Sequence, residues 1–431
     1  MVTQDQYIVK DYTEVYKKIM QFNKNKTAFI HQWYPFVEGY SKEFITSIID
    51  EIEYFPEYAL DPFAGSGTTP VELQNMGINC YSFEVSPFMH LLATVKLNSQ
   101  YKLGEYLTYQ QTLVDFLNGP LLPIRQYLSP PLATTFQPKK NKKKWVFDIG
   151  VMNGILDIKY IISQIDDVSY RKLFTIALAS ILLEVSNVYR NGKCLSYKKD
   201  WQDKKITRRL VHKFFLDKLF NIIQPDIELL STKTFSTNNS ELCIYGDVRT
   251  NISNVPDNSI DLIITSPPYL NSRDYTDIYI AELWILDLIN SYDELKALRK
   301  RTFRSHVQVK HGDVELLEIN ELQQAISRLT LKKKEFWNSE IIEMIKAYFL
   351  DIDLLFFEFR KKMRPNRKIF FNVANSAYYG VEIKVDEIVC AIAEKNGFIV
   401  NEIREARQLK PSNQQKLTIK SLRESVIVLT S

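Results

Sequence analysis

The sequence predicts a doubly wound α/β protein, a mostly parallel sheet of about seven strands interrupted by a large, mainly helical insertion. Three observations carry this. Short β-branched or aromatic segments alternate with helical periodicity in two separated regions. A glycine-rich turn joins one such strand to a helix. Between the two regions lies a stretch with proline-marked loops, a lysine run and only helical periodicity. At 431 residues the chain has ample material for a sizeable core, and 45% hydrophobic with 25% charged residues excludes a disordered or collagen-like chain.

In chain order, Tyr58 to Asp61 (YALD) reads as a strand, followed by the turn, a helix, the strand Asn79 to Glu84 (NCYSFE) and a helix to about Asn98. Ser86-Pro87 supplies the N-cap and first position of that second helix. Residues 101–240 form the insertion, with helical spacing in Ile155 to Ile162 and Phe174 to Leu183. Strands resume with ELCIY at Glu241 and IDLIIT at Ile260 to Thr265. After a helical stretch, 282–363, they close with KIFFNV, GFIVNEI and ESVIVLT. The expected organisation is one α/β domain in three parts, 1–100, 241–281 and 364–431, with 101–240 and 282–363 as helical segments facing a polyanion.

Charge supports that division. The net charge is only +4, yet residues 101–240 hold 21 Lys and Arg against 12 Asp and Glu, so the remainder is net negative. Lys142, Lys143, Lys144, Arg190, Lys193, Arg208 and Arg209 are candidate phosphate contacts in the insertion, and Arg301 and Arg304 in the later helical stretch. The four cysteines are far apart, with no C-x-x-C pair and no His spaced to complete a zinc site. They read as buried free thiols of a reducing cytoplasm, and no metal is expected. The N-terminal residues lack the apolar run of a secretory signal, and no apolar run reaches the ~20 residues a bilayer span needs.

The turn is Asp61-Pro62-Phe63-Ala64-Gly65-Ser66-Gly67-Thr68. Gly65 and Gly67 allow positive φ and close approach of a ligand to bare backbone. A phosphate-binding P-loop would need Gly-Lys-Ser/Thr, which is missing, and a dinucleotide fingerprint would need a small residue where Pro70 stands. The second motif, Thr265-Ser266-Pro267-Pro268-Tyr269, ends the IDLIIT strand. Its prolines remove two N–H donors, so the surface offers carbonyl and hydroxyl acceptors beside an aromatic ring, which fits an aromatic amine.

Together the two motifs resemble those of S-adenosylmethionine-dependent methyltransferases that modify exocyclic amino groups of DNA bases. That resemblance covers about residues 28–98, 241–281 and 364–431 and implies a Rossmann-like methyltransferase sheet. It implies that Asp61, Phe63, Gly65, Gly67 and Thr68 surround the methionine part of S-adenosylmethionine. Glu84, 17 positions after Gly67, would bind the ribose hydroxyls, and Asp247 would lie near the adenine. The segment holding Tyr34 and Ser41 is similar to the one that closes over the cofactor. Ser266, Pro267, Pro268 and Tyr269 would hold a flipped base, with Ser266 and a proline carbonyl accepting from its amine and Tyr269 stacking on its ring. Serine at the first motif position favours cytosine N4 over adenine N6. No cysteine follows a proline, which disfavours C5 chemistry. Asn271, Asp274 and Tyr275 are further candidates for the base pocket. Double-stranded DNA is the implied partner, with a cognate restriction endonuclease in a restriction or phage-defence setting. Adenine-N6 methylation, an RNA base methyltransferase and a catalytically silent nucleic-acid-binding module remain the alternatives.

Overall fold

The computed structural model describes residues 7–123, 135–138, 143–191, 194–203, 205–270, 274–411, 415–416 and 418–431. Among the described residues twelve strands follow in chain order: β1 (Val9–Asp11), β2 (Tyr58–Asp61), β3 (Asn79–Glu84), β4 (Val188–Arg190), β5 (Leu195–Tyr197), β6 (Cys243–Tyr245), β7 (Ile260–Thr265), β8 (Met363–Ala374), β9 (Ser376–Tyr378), β10 (Val381–Ile383), β11 (Ile399–Leu409) and β12 (Leu422–Thr430). Eight of them form the central sheet, in the order β6-β3-β2-β7-β8-β12-β11-β1. Only β12 runs against its neighbours; every other pair in the sheet is parallel.

The sheet thus has eight strands where the sequence suggested seven. The added strand is β1, whose Val9 pairs with Ile403 at the β11 edge. Three residues are too few to show a period-two signal, so local patterning does not mark it.

Helices cover both faces, which explains why the central strands read as continuous apolar runs. Leu60, Ile263, Ile369, Phe371 and Ile427 point to one face, where the helices Ile341–Lys362 and Val385–Lys395 pack. Their alternates Ala59, Leu262, Ile264, Phe370 and Val426 point to the other face, under the helices Lys42–Glu51 and Thr68–Asn75.

The insertion contributes the helices Leu103–Asn118, Ile149–Ser163, Val168–Val185, Arg208–Lys218 and Gln224–Leu230, and the β4–β5 hairpin. Their apolar faces join one cluster with the helix Pro87–Leu97 and with residues 278–298. Burial, not a separate core, therefore fixes the insertion against the sheet end that carries β3 and β6. No helix among the described residues is long and apolar enough to cross a membrane. Three of the cysteines are buried free thiols, whereas Cys194 beside the β4–β5 turn is exposed.

Candidate active site

β2 and β7 are neighbours, pairing Leu60 with Ile263, so the segments that leave their carboxyl ends emerge side by side. In open α/β sheets this edge, at the point where strand order reverses, is where ligands bind. The hydroxyl of Thr265 donates to Asp61 Oδ1 at 3.1 Å, and the Phe63 N–H donates to the same oxygen at 3.1 Å. Asp61 is therefore the buried link between the glycine turn and the Ser-Pro-Pro-Tyr segment, and burial pushes its carboxyl up to about 6.

The turn itself is closed by the Ala64 N–H to Phe83 O at 2.9 Å and the Gly67 N–H to Ala64 O at 2.8 Å. Gly65 and Gly67 both have positive φ, at 52° and 82°. A Cβ on Gly67 would lie 3.1 Å from both Cα and Cβ of Ala93, so this glycine is required by the close approach of the helix Pro87–Leu97. Behind the turn the buried Lys96 donates to Ser66 O at 3.0 Å, and desolvation lowers its amine to about 7.

Glu84 ends β3 beside the turn. Its two carboxylate oxygens accept from the Gly65 N–H at 2.9 Å and the Ser86 N–H at 2.7 Å. Burial nevertheless outweighs these donors and raises its pKa to about 7. Each oxygen keeps a lone pair, so the group can still accept from two hydroxyls.

On the other motif, the Tyr269 hydroxyl donates to Glu424 Oε1 at 2.6 Å, and Asn372 Nδ2 donates to the Tyr269 oxygen at 2.6 Å and, more weakly, to Ser266 Oγ at 3.4 Å. Arg407 Nε closes on the other oxygen of Glu424. A carboxylate held by a guanidinium can only accept, so Tyr269 must donate to it, and Asn372 must present its N–H to Tyr269. The chain Arg407–Glu424–Tyr269–Asn372 thereby fixes the edge of the aromatic ring.

These groups open on one cavity of about 720 Å³. That lies within the ~300–1,000 Å³ usual for small-molecule sites. Its wall contains Phe63, Gly65, Thr68, Glu84 and Asp247 together with Ser266, Pro267, Pro268 and Tyr269, so the two motifs share it. Asp247 is also paired to Arg249 at 2.6 Å. Tyr275 lines the cavity, whereas Asp274 is buried and caps its helix through the Thr276 N–H. Asn271 lies outside the described residues.

Several expected cofactor residues do not reach the wall. Asp61 and Gly67 act from beneath the turn, through Thr265 and against Ala93. Tyr34 is buried behind it and donates to Glu282 Oε1 at 2.8 Å, and Ser41 is buried and bonds Ile19 O. It is the neighbouring stretch, Phe36 to Tyr40, that faces the cavity. Asn372 and Glu424 fall in segments that read only as closing strands, and Arg407 in none, so the sequence gives the three no site role; a strand end at the same sheet edge is the signal that finds them.

The candidate DNA contacts also divide. Lys143 and Lys144 are exposed, and Arg301 is exposed at the cavity wall, its guanidinium 5.7 Å from the Tyr245 ring. Arg190 is internal: it pairs with Glu282 at 2.5 Å with side chains 7% and 0% exposed, which leaves nothing for a phosphate. Arg208 is paired with Asp157 at 2.5 Å, and Arg304 with Asp351 at 2.5 Å. Arg209 donates to the carbonyls of Leu117 and Gly119, closing the end of a helix. Lys142 and Lys193 lie outside the described residues. Among the described residues, no cluster of three or more His, Cys, Asp or Glu side chains could hold a metal ion.

No protein-family model matches the chain. It is similar over 95% of its length, at 26% identity, to the Type II methyltransferase M.BsoBI of Geobacillus stearothermophilus, of which 87% is covered. The Type II methyltransferase M.AvaI of a Nostoc species is likewise 26% identical over 96% of the chain and 88% of the relative. A shorter stretch, 22% of the chain, is 35% identical to 17% of the Type II methyltransferase M.MjaII of Methanocaldococcus jannaschii. Similarity of this extent to Type II methyltransferases supports a DNA methyltransferase of the restriction-modification kind, with S-adenosylmethionine as the methyl donor.

Proposed function

We propose that this chain transfers a methyl group from S-adenosylmethionine to the exocyclic amine of a base flipped from duplex DNA, with cytosine N4 as the target, and so shields DNA in the cytoplasm from a cognate restriction endonuclease. The observation that carries this reading is the shared cavity, in which Gly65 and Glu84 face Ser266, Pro267, Pro268 and Tyr269 across one space.

The cofactor fits these residues: backbone of a positive-φ turn for its amino-acid part and a carboxylate with free lone pairs, Glu84, for its ribose. Bound there, it supplies an electrophilic methyl on a sulfonium. The protein's own contribution is positioning. An amine conjugated to its ring is a poor nucleophile, and acceptors that draw its protons into fixed directions localise the nitrogen lone pair toward the methyl. Ser266 Oγ and the proline carbonyl are the acceptors assigned here, and the ring of Tyr269, fixed through Glu424 and Asn372, gives the base a flat wall. A base in the duplex stack is out of reach of such a recess, so extrusion precedes transfer. The cytosine assignment rests on serine at position 266, where the resembling adenine enzymes carry an acidic or amide side chain.

The test is to methylate duplex DNA with the purified chain, digest it to nucleosides and identify the product by mass spectrometry. N4-methylcytosine is expected. N6-methyladenine would move the target but keep the reaction, and no methylated nucleoside would remove the proposal. The double variant Ser266→Ala, Tyr269→Ala should abolish transfer while leaving cofactor affinity largely intact.

A further inference from the structure

A second basic surface, distinct from the inserted helices, lies at the cavity rim. The helix Asn320–Thr330 buries Leu322, Ala325, Ile326 and Leu329 and is followed by a loop with the sequence Leu331-Lys-Lys-Lys-Glu-Phe-Trp337. Leu331 and Trp337 are 87% and 67% exposed, which leaves the indole ring open to solvent. The loop is nonetheless anchored: the Phe336 ring stacks on Tyr379 at 4.8 Å, and the Trp337 N–H donates to the Tyr379 hydroxyl at 2.6 Å.

Tyr379 and Gly380 form the two-residue turn of the β9–β10 hairpin, both with positive φ, at 49° and 76°. The same turn holds a second basic segment. The Gly380 N–H donates to Gln415 Oε1 at 2.7 Å, and Thr418 packs against Gly380. Lys333 and Lys334 from the loop and Lys410, Lys416 and Lys420 from the second segment are all exposed, and none pairs with a carboxylate among the described residues. Ser376 and Ala377 of β9, Gln415 and Lys410 itself line the cavity. Contacts through one turn therefore link the loop's lysines and exposed indole to Gln415 and Lys410 at the cavity wall.

We infer that this rim is a docking surface for duplex DNA, on which Lys333, Lys334, Lys410, Lys416 and Lys420 meet phosphates and Trp337 stacks on a base exposed by extrusion. The inference rests on the proposed function. Charge complementarity decides the occupant: clustered lysines without internal partners match a polyanion, and a ring beside them adds the stacking face that opened nucleic acid uses.

The test measures binding of the full chain to a fluorescently labelled duplex by anisotropy as salt is raised from about 50 to 200 mM. The variant Lys333→Gln, Lys334→Gln should flatten the log–log salt dependence by ~0.9 for each phosphate that no longer meets a cation. Trp337→Ala should weaken binding by on the order of 5- to 100-fold without altering that slope, because it removes stacking and no charge. Cofactor affinity should be unchanged in both, which reports folding, and Trp337→Gln replaces the alanine variant if that one does not fold. Variants that keep wild-type affinity and slope would overturn the inference and hand this face to an acidic protein. A wild-type chain without salt-dependent duplex binding would instead overturn the functional reading on which it rests.

Discussion

The clearest quantitative consequence concerns Glu84 and pH. Its carboxylate has a folded-state pKa near 7, raised by burial. Ribose hydroxyls donate to the ionised form, so protons compete with the cofactor. At pH 6 about a tenth of the group is ionised and at pH 8 about nine-tenths, so cofactor affinity should rise on the order of 10-fold across that interval, ~1.4 kcal/mol. The sign for stability is opposite. An acid whose pKa is raised on folding takes up a proton, so its contribution is most favourable below about pH 4.5 and is lost as pH climbs through 7. Glu84→Gln tests the same group without titration. Both oxygens now accept backbone N–H bonds, at 2.9 and 2.7 Å, and an amide can satisfy only one, because its NH2 faces a donor. Losing that bond and one ribose hydrogen bond to a charged acceptor should weaken the cofactor on the order of 10- to 100-fold. Isothermal titration calorimetry with S-adenosylmethionine from about pH 6 to 8 reads both effects. Titration of the cofactor's own groups is common to the two proteins and cancels between them. Equal pH slopes in wild type and Glu84→Gln, or equal affinities at pH 8, would refute the role given to this carboxylate.

Three further outcomes follow from the packing around the site. Gly67→Ala combines an unfavourable φ of 82° with a Cβ 3.1 Å from Ala93. It should lower stability by ~2–4 kcal/mol, read from urea unfolding, and a loss within experimental error would show that the turn can move. Arg190→Ala leaves Glu282 buried without its cation and should destabilise by ~3–5 kcal/mol, while the salt slope for DNA binding stays unchanged. A flattened slope with stability intact would return Arg190 to the DNA interface. Tyr269→Phe removes the hydroxyl shared by Glu424 and Asn372, so kcat for methyl transfer should fall while cofactor affinity holds. Unchanged kcat would mean that the ring is positioned without that chain.

Much of the catalytic frame is legible in the sequence. The strands Tyr58–Asp61, Asn79–Glu84 and Ile260–Thr265 stand where β-branched and aromatic runs meet turn residues, because strand formation and turn chemistry are local properties of a few adjacent side chains. The acceptor-rich character of Ser266 to Tyr269 and the open backbone of Gly65 and Gly67 are local in the same sense.

What the tertiary structure alone decided is which charges and which neighbours those local pieces meet. Arg190 looks in sequence like any other basic residue, yet Glu282, 92 positions later, turns it inward. Tyr34 and Ser41 sit behind the cavity because the chain between them bends to present Phe36 to Tyr40 instead. Asn372, Arg407 and Glu424 reach the Ser-Pro-Pro-Tyr segment only because β8, β11 and β12 follow β7 across one sheet. A side chain's solvation and partners depend on contacts between distant segments, and no short window of sequence contains both members of such a pair.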